Sequence, residues 1–348
     1  MKNTEQGNVG VKKKGWTWLG TAGLALALAV SLSGCGAKDS TEASSSPTTS
    51  SVPSASAAAT TAPSATTAPT TSTDAATVYP FTIKDSTGTE LTLKEEPKRI
   101  VTLAPSETET VFAVGAGERV VGVDQYSNYP AEAADKTKVG DLNTNLEAVL
   151  ALKPDLVIAH SGLQIDVINK LRELNVPVYA DDPKTLDQVI EHIDKVGQLV
   201  NDVAGANTVT AKMKADRDQV IEAVKGAPAK KVYLEFSEGW TVGKGEFLDE
   251  LLTLAGGTNV AGDKSGWFEI NAESILQSKP DVILYGTDDY TGNTIYDAIL
   301  KRPGFSSLDA VKNKQLFPIQ SDLVSRVGPR LTDGLVEIAK AVHPDRVK

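Results

Sequence analysis

The period of the hydrophobic pattern changes repeatedly from residue 81 onward. Residues 81–83 and 91–93 alternate apolar and polar side chains around the polar turn 85–88, which predicts a β-hairpin. Short apolar runs then alternate with stretches that carry apolar residues three and four apart, the spacing of helices. The predicted strands are 100–103, 120–123, 156–159, 176–179, 232–236, 282–285 and 316–319. Strands that alternate with helices favour parallel sheets covered on both faces.

Two helices in the middle of the chain have the clearest helical pattern. The segment 185–200 has apolar residues at Leu186, Val189, Ile190, Ile193, Val196 and Leu199. The segment 202–224 follows without a proline, and at 1.5 Å per residue it would span roughly 35 Å. A shorter helix is predicted at 106–114, with Ser106 as its N-cap and Glu109 completing a capping box.

An internal repeat relates the two halves of this pattern. Residues 145–158 are echoed by 271–284, with Asn, Glu, Leu, Lys, Pro and Asp at identical spacing, and 117–122 is echoed by 257–262. Chance similarity of two helix–strand units is the alternative, and the period is far too long for a solenoid. We therefore predict an α/β fold with two lobes, each built on a parallel central sheet, joined by a single long helix. The predicted divisions are an N-terminal lobe at 79–200, a connecting helix at 201–227 and a C-terminal lobe at 228–348.

The N-terminus does not follow this pattern. Three lysines at 12–14 precede an apolar stretch at 16–30 that has the length of a signal-peptide core and is short for a membrane span. Small residues then lead to Cys35, the only cysteine in the chain, in the order Leu-Ser-Gly-Cys. This order resembles the bacterial lipobox and predicts a signal peptide at 1–34 with lipidation of Cys35. An uncleaved anchor or a plain secretory signal is the alternative.

Residues 35–78 are predicted to be the lipidated cysteine and a disordered tether. The segment is almost entirely Ser, Thr, Ala and Pro and lacks the large apolar residues of a core. Its ends would lie roughly 35–40 Å apart, although a mucin-like stalk would have the same composition. Removal of 1–34 takes away four lysines and one glutamate, which lowers the formal net charge from −10 to −13. Such a charge argues against nucleic acid as a partner.

Polar and aromatic residues follow the predicted strands. Ligands bind outside the carboxyl ends of the strands in open parallel sheets. Two lobes that face each other would form a cleft with the general composition of a small-molecule site. The candidate ligand-binding residues are Tyr126, His160, Trp240, Trp267 and Arg326. Each of the aromatic candidates could equally be a packing residue.

Sequence signals for catalysis are weak. The chain has no G-x-S-x-G elbow, P-loop or HExxH motif, and of its three histidines only His160 falls at a predicted strand end. A bare transition metal usually needs a cluster of His, Cys or carboxylate ligands, although Tyr, Asp and Glu stay open as ligands here. We therefore expect a binding protein without catalytic residues, intrinsic cofactor or protein-bound metal.

Several motifs together resemble one class of binding proteins. They are Arg-Ile-Val-Thr-Leu-Ala-Pro-Ser at 99–106, the run 109–117, Val-Gly-Val at 121–123 with Tyr126 and Tyr129-Pro130, 152–158, and the segment 321–330. Over about residues 80–345 the chain resembles the ferric-siderophore and cobalamin class of substrate-binding proteins of ABC importers. The resemblance implies two α/β lobes on one rigid helix. It also implies an extracytoplasmic receptor that works with a membrane permease and its ATPase.

The resemblance leaves two ligand classes open. The ring-stacking aromatics of cobalamin receptors would be matched by Tyr126, Trp240 and Trp267, whereas His160 stands where some relatives carry tryptophan. Arg326, with Arg330 near it in sequence, would instead suit an anionic siderophore. The expected ligand is thus a cobalt corrinoid or a ferric chelate.

The repeated glutamates Glu147 and Glu273 are the predicted docking residues. The resemblance implies that one glutamate on each lobe contacts the permease, although either alone could be a solvated carboxylate favoured by the helix dipole. We expect a monomer anchored by lipid to the outer face of the cell membrane. The alternatives are a surface-anchored chelate-processing enzyme, a receptor for haem or bare metal, and a structural adhesin on a stalk.

Overall fold

Two parallel sheets form the centres of two lobes in the computed structural model, which describes residues 76–287 and 294–348. The N-terminal lobe begins with a hairpin of β1 (Phe81–Lys84) and β2 (Glu90–Leu93). Its sheet has the spatial order β5-β4-β3-β6-β7 and all its strands are parallel. These strands are β3 (Ile100–Thr102), β4 (Val120–Val123), β5 (Thr137–Lys138), β6 (Leu156–His160) and β7 (Val178–Asp181).

Helices connect these strands and continue into the second half. They are α1 (Pro105–Ala113), α2 (Leu146–Ala151), α3 (Ser161–Glu173), α4 (Leu186–Leu199) and α5 (Val203–Val224). Short 3₁₀ helices lie at Gly117–Arg119 and Ala131–Ala133. The predicted signal peptide, Cys35 and nearly all of the predicted tether lie outside the described residues.

The C-terminal lobe repeats the plan with four parallel strands in the order β10-β8-β12-β13. An antiparallel ribbon of β9 and β11 lies beside this sheet. The strands are β8 (Lys230–Glu235), β9 (Trp240–Val242), β10 (Gly257–Asn259), β11 (Trp267–Glu269), β12 (Val282–Thr287) and β13 (Leu316–Gln320). The helices are α6 (Phe247–Leu254), α7 (Ala272–Ser278), α8 (Thr294–Lys301), α9 (Asp309–Lys312), α10 (Ser321–Ser325) and α11 (Leu331–Val342), with a 3₁₀ turn at Phe305–Ser307.

The predicted fold class is therefore confirmed: two α/β lobes with parallel sheets are joined by one long helix, α5. Helix α5 packs along α4 on one side and α11 on the other, and it buries Ala206, Met213 and Val220. A Cβ atom at Gly205 would lie 1.9 Å from the carbonyl oxygen of Val114, so α5 touches α1 closely enough to require glycine. Helix α5 is therefore closely packed against helices of both lobes.

In each lobe, an asparagine and a lysine of the repeat mark the start and the end of the same short helix. The side chains of Asn145 and Asn271 cap α2 and α7, each accepting a backbone N–H bond at 3.1 Å. Lys153 and Lys279 follow these helices with φ of 47° and 50°, the left-handed conformation that reverses the chain after a helix. The repeat is thus visible as two copies of one local structure.

The repeated aspartates tie each of these units to a neighbouring strand. Asp155 accepts the backbone N–H groups of Lys98 and Arg99 at 2.8 Å each, just before β3. Asp281 accepts the N–H group of Lys231 at 2.8 Å, within β8. The Lys-Pro-Asp motif therefore fixes the start of β6 and of β12 next to the first strand of its own sheet.

The predicted capping box at Ser106 and Glu109 is wrong. Helix α1 begins one residue earlier, at Pro105, and Ala104 is its N-cap without a side-chain bond. Proline is well suited to the first helical position because its φ is already helical and it has no N–H group to satisfy. The carboxylate of Glu109 is engaged by arginines from the other lobe.

Candidate functional site

A cleft of about 710 Å³ lies between the two lobes. It is bounded by the carboxyl ends of β3, β4 and β6 on one side and of β12 and β13 on the other. Loop residues from successive parallel strands converge at this edge, which is why ligands bind there in open sheets. The lining includes Ser106, Gln125, Asn128, Leu163, Thr287 and Ser321.

The structure brings three of the five candidate residues together. Tyr126, His160 and Arg326 all line the cleft, the first two from the N-terminal lobe and the third from the C-terminal lobe. Trp240 and Trp267 are outside its lining and lie on the ribbon of β9 and β11. The contact of each residue with a ligand stays a prediction.

The two tryptophans lie on one face of that ribbon. Trp240 pairs with Glu269 and Trp267 pairs with Val242, so the two indoles are diagonal neighbours, a spacing that large aromatic side chains can bridge. Trp267 also contacts Phe236 edge to face, with ring centroids 5.2 Å apart. Both indoles keep 40% or more of their surface exposed. The packing role of Trp267 is therefore partial, and a large apolar surface is left open.

The exposed aromatic side chains share one edge of the molecule. Among the described residues they are Tyr126, Tyr129, Trp240 and Trp267. The tyrosines follow β4, and the ribbon follows the end of β8 through a turn in which Phe236 donates its N–H to the Trp240 carbonyl. Large aromatics exposed at the carboxyl ends of strands indicate a contact surface for a ligand or partner.

The guanidinium of Arg326 is paired on both sides. Its Nη1 donates to Glu109 Oε1 at 2.9 Å, and its Nη2 lies 2.7 Å from Asp322 Oδ2. The side chain is 9% exposed. Arg326 is therefore not the free cation for an anionic ligand that the sequence suggested, because Glu109 and Asp322 already neutralise it.

Glu109 engages Arg330 as well. Arg330 donates from Nε and Nη2 to the two Glu109 oxygens at 2.8 and 2.7 Å, and its guanidinium stacks 3.9 Å from the centre of the Tyr129 ring. The carboxylate comes from α1 in the N-terminal lobe, and both arginines come from the segment between α10 and α11. This ion cluster consists of Glu109, Asp322, Arg326 and Arg330, and it connects the two lobes beside the cleft.

His160 stands at the end of β6 on the cleft wall. Its Nε2 lies 3.6 Å from Asp182 Oδ1, which is an ion-pair distance and too long for a hydrogen bond. Its Nδ1 is buried and has no hydrogen-bond partner among the described residues. His160 thus offers an imidazole edge to the site.

A second buried ion cluster holds α1 to the N-terminal lobe. His192, 1% exposed, places Nε2 at 2.8 Å from Glu107 Oε2 and Nδ1 at 3.2 Å from Asp181 Oδ2. The Tyr179 hydroxyl donates to the same Asp181 oxygen at 3.0 Å. Helix α1 therefore carries two buried glutamates with different partners: Glu107 binds within its own lobe, and Glu109 binds across to the other.

This second cluster holds a buried cation at neutral pH. Burial alone would lower the pKa of His192, but Glu107 and Asp181 outweigh it and raise that pKa to about 10. For Asp181, burial opposes ionisation, but the His192 bonds lower the pKa to about 2. The His192 interactions therefore stabilise the fold fully below pH 6.5 and are lost as pH rises through about 10. Those of Asp181 are present above pH 3.8 and are lost as pH falls towards 2.

We expect His192→Gln to lower the melting temperature by roughly 10 °C at pH 6, because the buried Glu107 and the partly buried Asp181 lose their cation. The difference from wild type should shrink as pH approaches 10, where His192 itself deprotonates. Circular dichroism melts at pH 6, 8 and 10 measure both effects. His343→Gln is the control, since this buried histidine bonds the Gly256 carbonyl at 3.3 Å and no carboxylate. If the melting temperature of His192→Gln were below that of wild type by the same amount at all three pH values, the charged-histidine interpretation would be contradicted.

The predicted docking glutamates are exposed at equivalent positions of the two lobes. Glu147 and Glu273 lie in the first turns of α2 and α7, and within the described residues neither takes part in an ion pair or a side-chain hydrogen bond. Each helix runs back towards the start of the next parallel strand, so its N-terminus lies at the carboxyl edge of the sheet. Both glutamates are therefore on the edge that carries the cleft, without lining it.

Sequence reasoning missed the buried polar helix α1. Ser106, Glu107, Thr108, Glu109 and Thr110 are all buried, which local pattern reading does not expect of consecutive polar residues. The available signal in the sequence was the unbroken run of polar residues directly after β3. Such a run either faces solvent or contributes to a polar site. His192, which lies in the predicted helix 185–200, is also buried.

Comparison with known proteins identifies the family. The family model described as periplasmic binding protein matches residues 100–323, so the chain belongs to this family. It is a substrate-binding protein and not an enzyme, as predicted. The uncharacterized ABC transporter substrate-binding lipoprotein YvrC of Bacillus subtilis is 36% identical over 281 residues, covering 78% of this chain and 88% of YvrC.

Two further proteins resemble the chain. The vitamin B12-binding protein of Vibrio cholerae is 30% identical over 247 residues, covering 69% of this chain and 87% of the relative. The crystal structure of a possible iron-binding, periplasmic solute-binding protein from Staphylococcus epidermidis matches with a TM-score of 0.63 and 30% identity. That match covers 72% of this chain and all of the other.

The described residues contain neither a membrane-spanning helix nor a metal-binding cluster. Residues 76–287 and 294–348 contain no helix that is long and apolar enough to cross a membrane. The same residues contain no group of three or more His, Cys, Asp or Glu side chains that could hold a metal ion.

Proposed function

We propose that this protein is the lipid-anchored receptor of an ABC importer and captures an uncharged or weakly charged metal chelate, with a corrinoid as the first candidate. The observation that carries the proposal is the cleft between the lobes. Its wall carries the exposed Tyr126 together with an arginine, Arg326, whose charge is already neutralised by Glu109 and Asp322. The exposed Trp240 and Trp267 lie outside this lining, on the ribbon of β9 and β11. A large, mostly apolar ligand with peripheral amides suits such a site better than a compact anion.

Charge distinguishes the two ligand classes that the sequence left open. An anionic ferric siderophore would need unpaired cations, and both Arg326 and Arg330 are held by Glu109. The name of the Vibrio cholerae relative supports a corrinoid. The name of the Staphylococcus epidermidis protein supports a ferric chelate as the second candidate, which in this cleft would be an uncharged one. Haem stays an alternative that the same titrations test.

Fluorescence offers a direct test of the ligand. The chain has four tryptophans, and Trp16 and Trp18 lie in the predicted signal peptide, so the processed protein would fluoresce only from Trp240 and Trp267. Protein extracted from membranes in detergent is titrated with cyanocobalamin, an uncharged ferric trihydroxamate and haemin. Saturable quenching by cyanocobalamin, with affinity far above that for the other two, supports the proposal. Quenching by one of the others alone would reassign the ligand.

The lipid anchor at Cys35 is part of the same proposal and is supported by the name of the Bacillus subtilis relative. We expect Cys35→Ser to release the protein into the medium or periplasm while its affinity for ligand is unchanged, because the cleft lies in the described lobes. Fractionation and quantitative blotting measure the release, with Ser33→Ala as a control that leaves the acceptor thiol intact. A processed Cys35→Ser chain that still pellets with membranes would contradict the anchor.

Delivery to the permease completes the proposal. Glu147 and Glu273 are proposed to contact the permease, one from each lobe, at the edge that also carries the cleft. Such a placement would present the ligand to the membrane partner as docking occurs. The receptor is proposed to act as a monomer without an intrinsic cofactor.

A further inference from the structure

The charge of the cleft depends on a residue that does not line it. Glu109 is 3% exposed, and its two oxygens accept three hydrogen bonds, at 2.7 to 2.9 Å, from Arg326 and Arg330. The carboxylate is supplied by one lobe and the guanidinium groups by the other. The charge that the arginines show to a ligand therefore depends in part on a carboxylate from across the lobe boundary.

The charges of the ion cluster cancel. Arg326 and Arg330 carry two positive charges, and Glu109 and Asp322 carry two negative ones. Apart from His160, Arg326 and Asp322 are the acidic and basic side chains among the described residues that line the cleft. Arg326 and Asp322 thus balance on the wall itself, and Glu109 balances Arg330 behind it, so the ion cluster beside the cleft would carry a net positive charge without Glu109.

We propose that Glu109 is a specificity-determining residue that makes the cleft reject anionic ligands by neutralising Arg326 and Arg330. The inference rests on the proposed function, since it requires that the cleft is the ligand site. An anion brought beside Arg326 meets a guanidinium whose attraction is offset by two carboxylates, and it pays its desolvation without a compensating partner. Loss of the Glu109 charge would leave the ion cluster beside the cleft with a net positive charge, which would attract an anionic ligand.

A purely structural role for Glu109 predicts something different. If the carboxylate only held the lobes together, its removal would weaken binding of neutral and anionic ligands by the same factor. The ratio of the two affinities is therefore the informative quantity, and it is insensitive to partial loss of folded protein.

The test uses the processed protein in detergent and two ligand pairs in which charge is the main difference. One pair is cyanocobalamin and its derivative with amides hydrolysed to carboxylates, and the other is a neutral ferric trihydroxamate and an anionic ferric triscatecholate. We expect Glu109→Gln to shift the affinity ratio towards the anion by about tenfold or more in the pair that the wild type binds. The shift should shrink at high salt.

Two further variants make the result specific. Glu107→Gln removes an equally buried carboxylate from the same helix, but one that pairs with His192 and not with the arginines, so the ratio should stay at the wild-type value. Glu109→Gln combined with Arg330→Gln removes one charge of each sign, and the ratio should return towards wild type. If the single variant Glu109→Gln folds poorly, the double variant gives a second route to the test, because only Arg326 then lacks its Glu109 partner.

The outcomes separate the two proposals. Failure of the wild type to bind the corrinoid pair while it binds the ferric pair refutes a corrinoid ligand and leaves the Glu109 test intact. An unchanged ratio in Glu109→Gln, or the same shift in Glu107→Gln, overturns the role of Glu109. A shift that the double variant does not reverse also overturns it, because net charge would then not be the cause.

Discussion

Reversing the charge of both docking glutamates should abolish transport and leave ligand affinity unchanged. The resemblance implies that these glutamates meet basic pockets of the permease, so arginines in their place would bring like charges together at a cost of several kcal/mol per pair. In the double variant Glu147→Arg, Glu273→Arg, uptake of the ligand by cells should therefore fall by about a hundredfold or more. Both side chains are exposed outside the cleft, so the fluorescence titration of the purified variant should match wild type. Each single variant should show a smaller transport defect.

A matched variant controls for the change in net charge. Glu173→Arg with Glu222→Arg removes two negative and adds two positive charges, as the docking variant does, at exposed positions at the end of α3 and on α5. The end of α3 lies near the start of β7, at the sheet edge opposite the cleft. This control should transport normally. Normal uptake by the Glu147, Glu273 variant would remove the docking assignment, and loss of ligand binding would mean that these glutamates support the cleft instead.

The repeat is the reason that the sequence singles out these two residues. Its asparagines cap helices, its lysines take the left-handed conformation, and its aspartates hold neighbouring strands. These roles account for the recurrence of the residues in structural terms. Glu147 and Glu273 recur without any intramolecular partner among the described residues. Their recurrence is the basis of the docking assignment, which stays a prediction.

Local patterns predicted the fold well because strands and helices here carry their own signals. The seven predicted strands all exist, and no boundary is displaced by more than two residues; β7, for example, begins at Val178 and β8 at Lys230. The long helix was readable because 202–224 has no proline and a continuous helical spacing. Both features depend on residues close together in the chain, where periodicity and capping operate.

The electrostatics of the site could not be read in the same way. Glu109 was interpreted through a neighbour three residues away, whereas its partners Arg326 and Arg330 are 217 and 221 residues distant. A local capping motif and a buried carboxylate give the same short sequence pattern. The choice between them depends on which lobe surface faces α1, and that is a property of the assembled fold.

Removing the indole of Trp267 should weaken ligand binding by about tenfold to a hundredfold. The side chain is 40% exposed next to Trp240 on the ribbon, so a ligand that covers it would bury the remaining apolar surface. That burial and an aromatic contact together contribute about 1–3 kcal/mol, which corresponds to this loss of affinity. Titration of Trp267→Ala with cyanocobalamin, followed by absorbance or calorimetry, measures the change.

Stability separates a ligand contact from a packing role. Trp267 touches Phe236 edge to face, so some loss of packing is expected, but the melting temperature of Trp267→Ala should fall by only a few degrees. Ile221→Ala is a suitable control because Ile221 is also 40% exposed, lies on α5 and does not line the cleft. It should leave affinity at the wild-type value. If Trp267→Ala binds as tightly as Ile221→Ala, the ribbon is not part of the ligand surface and binding depends on the residues that line the cleft itself.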